Sequence, residues 1–155
     1  MSPADLEQVL AIEAVSFPDP WPRRFFEQEV THGGAARAMV AVRDAVVLGY
    51  MVAWDMAGDI HLGNLAVSPS HRRCGVARLL LARLIDRAVR DGSRSITLEV
   101  RVSNRSAIQL YARHRFRPAG LRRGYYRGVE DALIMTRELV VPRPLDDPSR
   151  RGEEP

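Results

Sequence analysis

A chain of 155 residues is long enough for one domain with its own core. With 46% hydrophobic and 27% charged residues, its composition is that of an ordinary soluble globular protein. The longest apolar stretch, Val46 to Trp54, is too short to span a bilayer, and no basic region precedes an apolar run at the N-terminus, so the chain reads as cytoplasmic and without a secretory signal. One cysteine, Cys74, excludes an internal disulfide, and the scattered His32, His61, His71 and His114 give no metal-ligand spacing. The formal net charge is +4, and all 23 basic residues are arginine. That pattern reads either as codon usage of a GC-rich genome or as a preference for an anionic partner, such as a nucleic acid or the phosphates of a cofactor.

The predicted elements follow in order. Ser2-Pro3 with Asp5 reads as a helix cap and first turn, and Leu6, Val9, Leu10 and Ile12 give the helix an apolar face. Phe17-Pro18-Asp19-Pro20-Trp21-Pro22 breaks it. Pro22 suits the start of a second helix carrying Phe25, Phe26 and Val30, which Gly33-Gly34 ends. Met39 to Val42 and Val46 to Trp54 predict a hairpin around Arg43-Asp44, and a third strand covers about Ile60 to Val67. The loop from Ser68 to Ala77 leads into a helix with the stripe Val76, Leu79, Leu80, Leu84, Ile85 and Val89, stopped by Asp91-Gly92. A short strand from Ile96 to Val100, a helix from Asn104 to His114 bearing Ile108 and Leu110, and a last strand around Leu133 to Met135 complete a mixed α/β domain of residues 1–141. Residues 142–155, rich in proline and charge, read as a disordered tail.

The loop after the third strand is the most informative stretch. A helix start presents unpaired N–H groups and the positive end of a dipole, which suits phosphate. Gly75 lets a ligand approach the backbone, and Arg72, Arg73 and Arg78 add charge. A solvated helix N-terminus is the other reading of the same features. The Walker loop needs Gly-Lys-Ser/Thr and the dinucleotide fingerprint needs three glycines; neither is present.

Arg72-x-x-Gly75-x-Ala77 matches Q/R-x-x-G-x-G/A, the acetyl-CoA pyrophosphate pattern of the GNAT superfamily of N-acetyltransferases. Asn64-Leu65-Ala66-Val67-Ser68-Pro69 resembles the strand on which that superfamily lays the pantetheine arm. Leu98-Glu99-Val100-Arg101-x-Ser103-Asn104-x-x-Ala107-Ile108-x-Leu110-Tyr111 with Phe116 resembles the RimI-type branch, the protein N-terminal alanine acetyltransferases. Leu121-Arg122-Arg123-Gly124-Tyr125-Tyr126, Glu130-Asp131-Ala132 and Met135 continue the likeness, which runs from about Leu6 to Leu139. The resemblance implies a GNAT fold, with a central mixed sheet of about six to seven strands flanked by about four helices. It implies acetyl-CoA as co-substrate, no metal, and a protein or peptide N-terminus as partner, of the alanine- or serine-starting kind found on a small-subunit ribosomal protein. Three departures stand out. The family's usual first strand is missing or truncated, which predicts an exposed sheet edge. Ala77 replaces a commoner glycine, and Arg115 stands where the family often has glycine.

Acetyl transfer needs a held cofactor, a deprotonated amine, donors for the carbonyl oxygen and a proton for the departing thiolate. The resemblance assigns the pyrophosphate to Arg72, Arg73, Cys74, Gly75, Val76, Ala77 and Arg78, and the pantetheine arm to the backbone of Leu65, Ala66 and Val67, through groups freed by a splayed strand. It makes Glu99 the general base, directly or through water, and Tyr111 the acid that protonates the thiolate. Thr97 and Glu99 share one face of their strand, and a paired structural glutamate is the alternative. Asn104 is a pantetheine partner, a helix cap, or both. Tyr125 and Tyr126, in the turn between the last two strands, and Trp21, in the proline-rich loop, are candidate walls of the acceptor site; surface tyrosines and a core anchor are their alternatives. Three rival functions remain: an acetyltransferase for small amines or lysine side chains, a silent acyl-CoA-binding regulator, and a nucleic-acid binder. Glu99 and Tyr111 speak against the second, and no nucleic-acid-binding motif supports the third.

Overall fold

The computed structural model describes residues 1–32 and 38–139. The Gly33-Gly34 helix end and the tail from residue 142 lie outside them. A short 3-10 turn, in which the Ser2 backbone N–H and Oγ donate to Asp5 Oδ2 at 2.6 and 2.8 Å, leads into α1 (Leu6–Ser16). There follow α2 (Arg23–His32), β1 (Met39–Arg43), β2 (Val46–Met56), β3 (Asp59–Val67), α3 (Val76–Arg90), β4 (Ser95–Arg101), α4 (Arg105–Arg113), β5 (Arg117–Tyr126) and β6 (Glu130–Glu138). The strands form one six-stranded sheet in the order β1-β2-β3-β4-β6-β5. All neighbours are antiparallel except β3 and β4. The sheet thus has the lower of the two strand numbers expected, and β1 forms one edge of it.

The apolar run in β2 is buried on both faces, because helices cover both. Met51 and Ala53 join Ile60, Leu62, Leu80, Leu81, Leu84, Ile96, Leu98 and Met135 beneath α3. Tyr50 and Val52 join Leu6, Val9, Ile12 and Phe26 beneath α1 and α2. Leu81 and Leu84 are fully buried, so Leu81→Ala would cost about 2–5 kcal/mol. One member of the expected α3 stripe is misplaced: Leu79 is 63% exposed. The helix turns Leu80, Leu81, Leu84, Ile85 and Ala88 to the sheet, and 100° per residue leaves Leu79 outside that arc.

β3 carries the irregularity that opens the site. Val52 pairs with Asn64 and Ala53 with Leu62, so Gly63 is an extra residue with no partner on β2. A Cβ on Gly63 would lie 2.0 Å from the Trp54 ring and 3.1 Å from that of Trp21, so only glycine fits there. The bulge reverses the alternation. Ile60 and Leu62 pack beneath α3, whereas Asn64 and Ala66 face α1. The β3–β4 pairing stops at the same point, with Leu62↔Leu98 its last pair. Beyond it the two parallel strands diverge.

Candidate active site

The divergence opens a cleft of about 1180 Å³. Leu65, Ala66 and Val67 line one side, the loop and helix start from His71 to Arg78 another, and Asn104, Ala107, Leu110, Tyr111, Arg113 and His114 the third. Every residue assigned by resemblance to the cofactor borders this one space. The loop is shaped for it locally. Arg73 (φ 63°) and Gly75 (φ 83°) are both left-handed, and alternating conformations of this kind turn successive N–H groups toward one concavity. Gly75 then caps α3, so by helix geometry the N–H groups of Val76, Ala77 and Arg78 have no acceptor within the helix. Arg72 lines the cleft and also donates from Nε to Val67 O at 3.1 Å, which ties the loop to the end of β3. Leu65 N–H donates to Asn64 Oδ1 at 3.0 Å and is not free. Asn104 caps α4 by accepting from Ala107 N–H at 3.2 Å and also lines the cleft.

Tyr111 is buried on α4, with its ring 5.7 Å from that of Phe116. Burial, and then the neighbouring Tyr126, push its phenol well above the ordinary value, so it holds its proton. Tyr126 ends β5 rather than lying in the turn, which is formed by residues 127–129. The Arg101 guanidinium lies 3.9 Å from its ring centroid. Burial pushes the Tyr126 phenol up to about 12 against the opposing pull of Arg101. Tyr126 is close enough to both Tyr111 and Glu99 to raise, or be raised by, their charge. Tyr125 is 48% exposed, with its ring 5.1 Å from that of Tyr126 and 5.4 Å from the Arg122 guanidinium.

Glu99 lies outside the walls of the cleft. Its side chain is only 7% exposed, and both oxygens are engaged. Oε2 lies 3.0 Å from His61 Nε2 and Oε1 3.2 Å from Arg122 Nη2. Glu99 is therefore paired, and the pairing leaves a catalytic role open. His61 stacks on Trp54, with centroids 6.2 Å apart and an interplanar angle of 22°. Trp54 in turn meets Trp21 at 5.8 Å. Trp21 also packs on Phe25 and Phe26, as an anchor of the proline-rich loop would.

Three contributors escaped sequence reasoning. His61 was considered only as a metal ligand; its place beside Glu99 depends on β3 pairing with β4. Glu13 falls on the same helical stripe as Leu6 and Val9, and a carboxylate on an apolar stripe is the signal that could have found it. It is buried, and its oxygens accept from Trp21 N–H at 2.7 Å, Asn64 Nδ2 at 3.0 Å and the Tyr50 hydroxyl. Burial raises its pKa despite these bonds. Asp19 bridges the proline-rich loop to the β5–β6 end, pairing with Arg127 and, at 3.8 Å, with Arg101. Glu130 completes that cluster by holding Arg101 Nη1 at 2.9 Å.

Residues 6–116 match the acetyltransferase (GNAT) family model. The chain is 33% identical over 134 residues to the [ribosomal protein bS18]-alanine N-acetyltransferase of Escherichia coli K12, covering 84% of this chain and 89% of that protein. It is 32% identical over 148 residues to the N-alpha-acetyltransferase of Saccharolobus solfataricus, covering 87% and 88% of the two. The crystal structure of the E. coli ribosomal-protein-S18-alanine N-acetyltransferase superposes with a TM-score of 0.83 at 29% identity, over 95% of this chain and 94% of that one. Among the described residues no helix is long and apolar enough to cross a membrane, and no group of His, Cys, Asp and Glu could hold a metal ion. With its parallel strands parted at a bulge and a left-handed glycine loop at the head of the following helix, the chain is a member of the GNAT family of acetyltransferases.

Proposed function

We propose that this chain transfers the acetyl group of acetyl-CoA to the N-terminal α-amine of a protein that begins with alanine or serine, of the ribosomal-protein kind. One observation carries the reading. Every residue assigned to the cofactor, Tyr111 included, lines one cleft where β3 and β4 part, and Glu99 directly follows their last pair, Leu62↔Leu98. Acetyl-CoA supplies the thioester. The left-handed loop and helix start hold its pyrophosphate, and residues 65–67 of β3 and Asn104 accompany the pantetheine arm. Glu99 is the base of the site, directly or through a hydrogen-bonded intermediary. Tyr111, kept protonated by burial, donates to the departing thiolate. Trp21, Tyr125 and Tyr126 wall the acceptor side, where Asp19 draws the proline-rich loop against the β5–β6 end.

The acceptor follows from chemistry as well as from the relatives' names. An α-amine near pKa 8 offers about two hundredfold more free base at neutral pH than a lysine near 10.4. A site with one carboxylate base suits it better. The test is a peptide that begins with alanine and contains an internal lysine, with the acetyl group located by fragmentation mass spectrometry. Modification of the α-amine is expected. Modification of the lysine, or competition by free polyamines, would sink the reading.

A further inference from the structure

Glu99 is poorly placed to meet an incoming amine itself. Its carboxylate is nearly enclosed, and each oxygen already has a cationic or hydrogen-bonding neighbour. The group in front of it is His61, whose side chain is 27% exposed. The imidazole turns Nε2 to Glu99 Oε2, and among the described residues its Nδ1 has no partner. A carboxylate accepts only, so in the neutral ring the 3.0 Å contact places the proton on Nε2 and leaves a lone pair on Nδ1. One face of the ring is stacked on Trp54, which continues to Trp21 and the proline-rich loop, so the imidazole stands at the inner end of the aromatic wall of the acceptor side.

We propose that His61 is the catalytic group that takes the acceptor's proton, with Glu99 orienting it and Arg122 holding Glu99. The proposal rests on the assignment of Glu99 as the acid–base centre and names its intermediary. The arrangement follows a general rule: a base is oriented by a third group that fixes its tautomer and stabilises its protonated form. An ammonium N–H bond breaks toward Nδ1, and the resulting imidazolium keeps its Nε2–H on Glu99. The freed nitrogen lone pair forms the N–C bond, the C–S bond breaks, and its electron pair leaves on sulfur with the Tyr111 proton. The second nitrogen proton restores the Tyr111 hydroxyl, and the proton on His61 passes to solvent. The groups facing His61 are Glu99 on β4, with Arg122 of β5 and Tyr126 behind it, and Glu29 of α2, which holds Trp54 Nε1 at 3.1 Å beyond the stacked ring.

The test uses the full chain, acetyl-CoA and an alanine-starting peptide. His61→Gln keeps a donor for Glu99 but cannot take a proton. It is expected to lower kcat about a hundredfold with acetyl-CoA affinity unchanged. His61→Ala is expected to be as slow and to be rescued several-fold by free imidazole, which a purely structural histidine would not show. Nitrogen-15 spectra of the wild-type imidazole should show the proton on Nε2. Wild-type turnover in His61→Gln overturns the proposal. So does a slow His61→Ala that imidazole leaves unrescued, or a neutral ring protonated on Nδ1. Normal His61→Gln beside a slow Glu99→Gln removes His61 alone. A fully active Glu99→Gln removes the reading of Glu99 and this proposal with it.

Discussion

The cleft that we assign to the cofactor and the chamber around Glu99 that we assign to the acceptor are assembled differently. The cleft takes its walls from three short stretches of chain, residues 65–67, 71–78 and 104–114, with a few residues from the end of α1. Much of what it offers is backbone: N–H groups of a left-handed loop and of a helix start. The chamber takes single side chains from distant elements, with Trp21 before α2, Trp54 on β2, His61 on β3, Glu99 on β4, and Arg122 and Tyr126 on β5. A backbone site depends on local conformation, so it tolerates side-chain change around it and fails when the loop is altered. A side-chain site depends on register and packing, so single substitutions remove single functions.

The sharpest way to separate the halves is Glu99→Gln. Turnover should fall about a hundredfold or more while calorimetric affinity for acetyl-CoA stays unchanged. Loss of both together would mean that the two halves are not independent.

Glu13→Gln tests the support beneath the chamber. It disturbs three hydrogen bonds, two of them buried, and should reduce unfolding stability by about 1–3 kcal/mol in urea titration. The pH dependence has a definite sign. Because the folded-state pKa of Glu13 is raised, the native state binds the extra proton, and its contribution declines as pH rises through the window above 4.5. Wild type should therefore gain on the variant as pH is lowered from 7 toward 5. A gap that widens with rising pH would contradict the burial argument.

Gly75→Glu attacks the other half. It places a negative charge at the phosphate loop on a residue with φ 83°. Acetyl-CoA affinity should fall about tenfold or more, with the Glu99 chamber intact. A folded variant with unchanged affinity would move the cofactor elsewhere. Tyr111→Phe, at the meeting of the halves, removes only a hydroxyl. A turnover loss of about tenfold, with stability unchanged within about 1 kcal/mol, is expected from single-turnover rates and thermal melts. Equal rates would exclude its acid role.

The smallest effect is expected at Asp19→Asn. Freeing the proline-rich loop from Arg127 and Arg101 should raise the peptide KM about two- to fivefold at low salt, and the difference should shrink at about 1 M salt. An equal change in acetyl-CoA affinity would place the bridge on the wrong half.

The same division governs how much could be read in advance. The glycine-bearing loop before α3, the caps at Ser2 and Asn104, and the alternation that puts Thr97 with Glu99 are all local patterns, set by residues within a few positions of one another. The α/β order, the four helices and all six strands except β5 as a separate element were legible for that reason. Gly63 shows where legibility stops. A lone glycine in a strand hints at a bulge, but its consequence, two parallel strands parting beyond Leu62↔Leu98, belongs to the sheet as a whole. His61, Arg122 and Asp19 lie tens of residues from their partners, so no local rule joins them. Sequence by itself determined the loop and helix start that we assign to the cofactor, because a glycine before a helix N-terminus is a pattern of adjacent residues. Only the tertiary structure decided which side chains surround Glu99, because strand pairing and register set those distances.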